Sequence, residues 1–311
     1  MKHPIPLRYR LRKGGCPKQP DDFRDIKLGD TPYVPDPNCP SWEQGFDNEI
    51  THDRLKREHQ GSSLSCVGQG WSKYLEMLNL IEEGLVDLSA RDIYSQIYLP
   101  QGGAYIRDGA KIAVNKGNCL ETLLTSYQNE NPPTEAFMRL RSDATPQTIA
   151  DALTYRSKKF VYLDTSYPLT DEDWENIRQV IWQFGGFVSG YKRHCMYVSG
   201  YYLKNGKKTI RFINSYGENS DQEYQGDKEI YDISFLMDLP NPPNKINMLK
   251  IVGNKTTRKQ YLLGKDRKLR WIFNETLLNE LHNSGVADKF EVEWKDNLDR
   301  YEVGDIWAII K

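Results

Sequence analysis

A two-lobed α+β fold is predicted by three features of this 311-residue chain. After Cys66 the apolar residues recur at helical spacing. Residues 160–213 instead carry short apolar runs separated by turn signals, and a Pro-rich stretch at 239–243 closes that strand-rich half. Helices followed by strands, rather than the two in alternation, imply two lobes packed on each other.

The elements are taken in order. Residues 1–50 are rich in Pro, Gly and Asp without periodicity, and read as an extended arm wrapped on a core. Val67, Trp71, Tyr74, Leu75, Leu78 and Ile81 mark one face of a helix that Gly84 stops. Ser89, with Asp92 three residues on, is a weaker form of the capping box and opens a second helix. A third spans Ile106 to Lys116 and ends at Gly117, and residues 128–134 form a loop. In the second half, Phe160–Leu163 is a strand and Asp171–Phe184 a helix ended by Gly185-Gly186. Phe187-Val188 and Met196–Leu203 are strands, Asn205-Gly206 is a hairpin turn, and Thr209–Ile213 returns. The Pro-rich segment separates a domain at 1–244 from a small α+β extension at 245–311. In that extension we expect a strand at 246–252, a hairpin around Asp266, a helix at 275–282 and a terminal strand at 305–310.

Composition excludes some functions. The net charge of -1 is nearly balanced and lacks the basic excess that phosphate recognition needs, so nucleic acid is not an expected partner. No run approaches the roughly 18 apolar residues of a membrane span, and Met1–Pro6 lacks the apolar core of a secretory signal. Five cysteines, an odd number with no CxxC pair, argue against a disulfide scaffold. Either all five are buried and inert in a reducing compartment, or one is kept free for chemistry; composition leaves both open. His3, His52, His59 and His282 show no metal-ligand spacing, so neither a metal nor another cofactor is expected.

Three short segments carry chemistry. Gln60-Gly61-Ser62-Ser63-Leu64-Ser65-Cys66 places a thiol where a helix begins, and a helix N-terminus with a nearby imidazolium favours thiolate. His194 opens a strand, where it can return a proton to a leaving amine. Asn214-Ser215-Tyr216-Gly217 closes the next strand, so the hairpin at 205–206 would bring Asn214 beside His194 to orient the ring. Gln60 can present its side-chain N–H to a developing oxyanion beside the Cys66 backbone N–H.

On these residues the sequence resembles the papain-like cysteine peptidases. The spacing from Cys66 to His194 and Asn214 falls in the range usual for that family. Gln60-Gly61, Ser65-Cys66, His194, Val198, Gly200, Tyr201 and Asn214-Ser215-Tyr216-Gly217 match its motifs, with Tyr216 for the usual Trp. Gly103–Asp108, Lys116–Glu121 and Pro20–Asp25 look like segments of bacterial and phage members that have little prosegment. The likeness covers roughly residues 20–236.

The resemblance implies a helical left lobe, an antiparallel right lobe and a cleft between them for a peptide or protein substrate. It implies catalytic Cys66, His194, Asn214 and Gln60, with substrate contacts from Gly102, Gly103 and Tyr216, although Gly102-Gly103 also reads as a simple turn. The implied activity is peptide hydrolysis through a Cys66 thioester. Alternatives on the same fold are an acyltransferase or cell-wall peptide-processing enzyme, or an inactive binding or assembly module. The extension at 245–311 is expected to dock a partner or to pack as part of the core.

Departures from the family pattern carry expectations too. Ser63 replaces a structural cysteine, which with the odd cysteine count points to a cytoplasmic or virion-associated setting. Gly68 and Gly70 should thin the first helical turn, and Arg193 should hold His194 neutral. No prosegment of the usual length precedes the arm, so activation by processing is not expected.

Overall fold

The computed structural model describes residues 15–237 except Asp53 and Glu130, and beyond them the backbone of five strands. The chain divides into two compact units, residues 1–239 and 240–311.

In the first unit the helices precede most of the sheet. They are α1 (Asn48–His52), α2 (Cys66–Glu82), α3 (Ala90–Tyr94), α4 (Ile106–Asn115), α5 (Glu135–Arg139), α6 (Pro146–Ala152) and α7 (Asp171–Phe184). The helix expected after Cys66 is α2, and its apolar stripe is core: Trp71, Tyr74 and Met77 are fully buried. Trp71 Nε1 donates to the Ile106 carbonyl at 3.0 Å, and Tyr74 Oη donates to the Phe184 carbonyl at 2.8 Å. One helix is thereby fastened to the start of α4 and the end of α7. Ser89 caps α3 by accepting from Asp92 N–H at 3.0 Å. Thr170 caps α7 in a reciprocal box with Asp173, and Gly185, at φ 73°, ends it.

The two glycines expected to weaken α2 have a packing role instead. A Cβ on Gly68 would stand 2.5 Å from the Ala90 carbonyl oxygen, and one on Gly70 would stand 3.1 Å from Cys195 Sγ. Only glycine lets the first turn lie between α3 and the sheet.

The sheet runs β2 (Phe160–Tyr162), β7 (Ile230–Leu236), β3 (Phe187–Tyr191), β4 (His194–Lys204), β5 (Lys207–Ile213), β6 (Gln222–Tyr224), with β1 (Phe46–Asp47) also on β4. Every pair is antiparallel. Two tight hairpins set the register. Asn205-Gly206 has φ of 53° and 72°, and Lys192-Arg193 has 52° and 64°. Positive φ at both turn residues matches the right-handed strand twist. The second of these turns explains the short connection before His194. The arm lies on this unit with a 3₁₀ turn at Leu28–Asp30 and the β1 pairing, and α1 follows within its last residues.

In the second unit the described strands are β8 (Lys250–Asn254), β9 (Gln260–Leu263), β10 (Lys268–Ile272), β11 (Val292–Lys295) and β12 (Glu302–Val303). They are ordered β11-β8-β9-β10-β12, and β8, β9 and β10 pair antiparallel. β9 and β10 flank the hairpin expected around Asp266, and β8 overlaps the strand expected at 246–252. The helix at 275–282 and the strand at 305–310 lie outside the described residues. Among the described residues no helix is long and apolar enough to cross a membrane.

Candidate active site

Four loops and element ends converge where α2 begins. Cys66 is the first residue of that helix and is fully buried. The loop before it is held by Glu135 of α5, which accepts from Leu64 N–H and from Tyr94 Oη, each at 2.6 Å. Ser63, in the place of a family cysteine, donates to the Gln60 carbonyl and pairs with Ser65 Oγ at 2.7 Å. A hydroxyl pair thus braces this turn. All five cysteines are free and buried.

His194 and Asn214 meet across the β4–β5 hairpin, with Nε2 to Oδ1 at 2.8 Å. The Asn214 amide can sit only one way round. Its Oδ1 also accepts from Ser215 N–H at 2.8 Å, and its Nδ2 donates to the Ser220 carbonyl at 3.0 Å. A backbone N–H can only donate and a carbonyl can only accept, so Oδ1 must be the acceptor for the ring. His194 therefore carries its proton on Nε2 and leaves Nδ1 for exchange. Tyr216 stacks on the ring with centroids 5.2 Å apart and planes at 21°. It thereby covers one face of the His194 ring.

Gln60 is tied to the same turn. Its backbone N–H donates to the Ser215 carbonyl at 2.8 Å, and its Oε1 accepts from Ser215 Oγ at 2.5 Å. Nε2 donates to the Ser63 carbonyl at 2.9 Å, which leaves its second hydrogen. Gly102 and Gly103 are tied into a local turn. Gly103 N–H donates to Tyr94 Oη, its carbonyl accepts from Leu99 N–H, and Gly102 N–H donates to the Leu99 carbonyl. Both glycine N–H groups are thus used within this turn, and that of the neighbouring Ala104 is directed elsewhere.

What receives that N–H is the arm. Gly15 accepts from Ala104 N–H at 2.9 Å, Cys16 N–H donates to the Arg193 carbonyl at 3.2 Å, and Tyr231 Oη donates to the Cys16 carbonyl at 2.8 Å. Gly15 lies so close that an added Cβ would stand 3.0 Å from Cys66 Sγ and 2.5 Å from the Leu64 carbonyl oxygen. A strap thus runs over the thiol from the Leu64 loop to the His194 hairpin, and Cys66 and His194 share no hydrogen bond. Sequence reasoning missed Gly15, Cys16 and Tyr231. The one available signal was position, immediately before the Pro20–Asp25 segment.

Electrostatics follow from this cover. Burial pushes the Cys66 thiol well above its usual range, with Cys16 adding to the rise. Burial also lowers His194 from 6.5 to about 4, against the pull of the Asn214 hydrogen bond. Desolvation, not the Arg193 charge, holds the ring neutral. The pair in this covered form is thiol and imidazole, not the thiolate and imidazolium expected from the helix N-terminus. Among the described residues no group of His, Cys, Asp and Glu is arranged to hold a metal.

A helix opening on a buried cysteine, packed on an antiparallel sheet that carries a His–Asn pair, is the papain-like fold. Among solved structures the chain is similar to xylellain, a cysteine protease from Xylella fastidiosa. That match has 16% identity over 73% of this chain and 96% of that one, with a TM-score of 0.56. It is also similar to procathepsin B S9 from Trypanosoma congolense, at 12% identity, 72% and 85% coverage, and a TM-score of 0.52. Procathepsin L2 from the larval midgut of Tenebrio molitor gives 17% identity, 75% and 81% coverage, and 0.51. At these identities the likeness is one of fold. No family model and no curated protein matches the sequence.

Proposed function

We propose that this chain is a cysteine peptidase that cleaves peptide bonds through a thioester on Cys66. The observation that carries this reading is the His194–Asn214 hydrogen bond, whose fixed Asn214 amide leaves Nδ1 as the proton-accepting nitrogen of the ring. With the strap displaced and water admitted, both desolvation shifts shrink and the proton can pass from Sγ to Nδ1. The thiolate then attacks the substrate carbonyl, and the oxyanion takes the spare Gln60 Nε2 hydrogen and the Cys66 N–H. Protonated His194 gives its proton to the leaving amine. Water, deprotonated by the same ring, hydrolyses the thioester and restores the thiol.

The domain arrangement belongs to the same reading: a peptidase domain at 1–244 and an accessory module at 245–311 that docks a partner. Five free thiols are consistent with a reducing compartment. A covered, neutral pair is also what a non-catalytic binding module on this fold would keep. A thiol-directed epoxide should modify Cys66 ahead of the other cysteines, and Cys66→Ala should abolish labelling and turnover together. Equal labelling of all accessible thiols, with no peptide cleaved from a diverse library, would overturn the peptidase reading in favour of the module.

A further inference from the structure

Behind Asn214 lies a knot of charge that the chemistry above does not use. Arg57 grips Glu49 at 2.5 and 2.6 Å, and Asp221 with Nε at 3.1 Å and the terminal nitrogen at 2.9 Å. Arg211 reaches Asp47 at 2.7 Å, Asp221 at 2.8 Å and Glu49 at 3.2 Å. The side chains are largely out of solvent, with Arg57 5%, Glu49 0%, Asp47 6%, Arg211 15% and Asp221 22% exposed. Two arginines therefore face three carboxylates. Of the three, Asp221 also accepts from the Asn214 backbone N–H, at 3.3 Å.

That contact leaves a single residue, Asn214, between the knot and the ring. The Asn214 peptide is held at its N–H by Asp221, and its side chain is held by Ser215 N–H, Ser220 and His194. Arg57 sits three residues before Gln60, in a segment whose backbone bonds to residues 215–217 through Gln60 N–H to the Ser215 carbonyl and Gly217 N–H to the Glu58 carbonyl. The same two-pronged arginine thus fixes the Gln60 segment and the Asn214 turn relative to each other. Charge-assisted, bidentate bonds in a water-poor setting hold geometry far better than neutral ones.

We propose that Asp221 is a positioning residue. Clamped by Arg57 and Arg211, it fixes the Asn214 peptide and through it the His194 ring, and touches no substrate itself. This rests on the peptidase reading for its effect on turnover, though not for its effect on the ring. Removing its charge leaves two arginines facing two carboxylates, with the Arg57–Glu49 and Arg211–Asp47 pairs intact, so Asp221→Asn should fold.

The test is a double-mutant cycle of Asp221→Asn and Asn214→Ala, with Cys66→Ala as control. The readouts are kcat, KM and the His194 ring N–H resonance in the full chain labelled at histidine. Asp221→Asn should lower kcat by about 10- to 100-fold through misplacement, with KM within about threefold. In the Asn214→Ala background it should cost less than about twofold more, because its route to the ring is already cut. The protected ring N–H resonance should be present in the wild type and lost in Asp221→Asn. Additive losses, an unchanged kcat or a retained resonance would overturn the proposal. If the wild type has no Cys66-dependent turnover, the peptidase reading fails and the resonance alone decides the positioning role. Should Asp221→Asn not fold, Arg211→Lys keeps the charge but loses the fork, and should give a smaller loss with the same non-additivity.

Discussion

Gly15→Val tests whether the strap governs access to Cys66. Beside the buried Cys16 side chain, three hydrogen bonds hold the strap over the thiol: Ala104 to Gly15, Cys16 to Arg193, and Tyr231 to Cys16. At about 1 kcal/mol net each they favour the covered state by roughly 3 kcal/mol. At ~1.4 kcal/mol per decade, that leaves the thiol open about 1% of the time or less. A Cβ at position 15 would collide with the Leu64 carbonyl oxygen at 2.5 Å, a backbone atom that has no rotamer to yield. The substitution should therefore forfeit most of those bonds and raise the rate of Cys66 alkylation by about 100-fold. The assay is timed reaction with iodoacetamide, with each cysteine quantified by peptide mass spectrometry. Cys119, in a separate small core cluster with Leu124 and Ala152, serves as the internal control. A folded Gly15→Val protein whose Cys66 reacts at the wild-type rate would refute the reasoning. An equal rise at Cys119 would also refute it, by showing general loosening.

Further expectations follow from other parts of the structure. Gly68→Ala should cost about 2–3 kcal/mol in chemical denaturation, because its Cβ meets the Ala90 carbonyl oxygen at 2.5 Å; a loss below about 0.5 kcal/mol would contradict the tight packing assigned to α2. Gln60→Ala should lower kcat by about 10²-fold while epoxide labelling of Cys66 persists, and equal loss of both would deny it an oxyanion role. Burial raises Glu76 from 4.5 to about 7 despite the Lys73 pairing, so the folded state holds a proton there that the unfolded chain has released. Stability from this group is present below about pH 4.5 and lost as pH rises to about 7, and Glu76→Gln should remove roughly 3 kcal/mol of that fall in urea titrations across the window. His194 works in the opposite direction, since its lowered value makes stability rise between about pH 4 and 6.5.

Legibility in the sequence follows the range of the forces involved. α2, α7 and the 205–206 hairpin were readable because local periodicity, caps and turn residues specify them, and α7 is found at the expected bounds. The five-residue α5 and the three-residue β6 were not, because so short an element is stabilised by what it packs on. Within the site, Cys66, His194, Asn214 and Gln60 stood out through spacing, which encodes the hairpin geometry that joins them. Asp221 could not stand out, because its partner Arg57 lies 164 residues away and an isolated acidic residue in a loop has no pattern. Gly15 and Cys16 look like ordinary arm residues until their contacts with Ala104 and Arg193 are seen.

A helix N-terminus and an imidazole should make a thiolate, yet burial drives Cys66 up and His194 down. Both shifts have one dominant cause, the exclusion of water; Gly15 of the strap lies against Cys66, and Cys16 is fastened to the Arg193 carbonyl next to His194. A helix end contributes at most about 2 kcal/mol, whereas full desolvation moves a buried group by several pK units. In the covered state desolvation wins. Uncovering reverses the balance, because admitted water restores the charged forms while the helix end and the Asn214 hydrogen bond stay in place. On this account the strap controls the protonation of the pair as well as access to it. Gly15→Val should accordingly raise the His194 titration midpoint from about 4 toward its ordinary value, which histidine NMR can follow. A midpoint that stays near 4 while Cys66 becomes reactive would separate access from activation and sink the link between them.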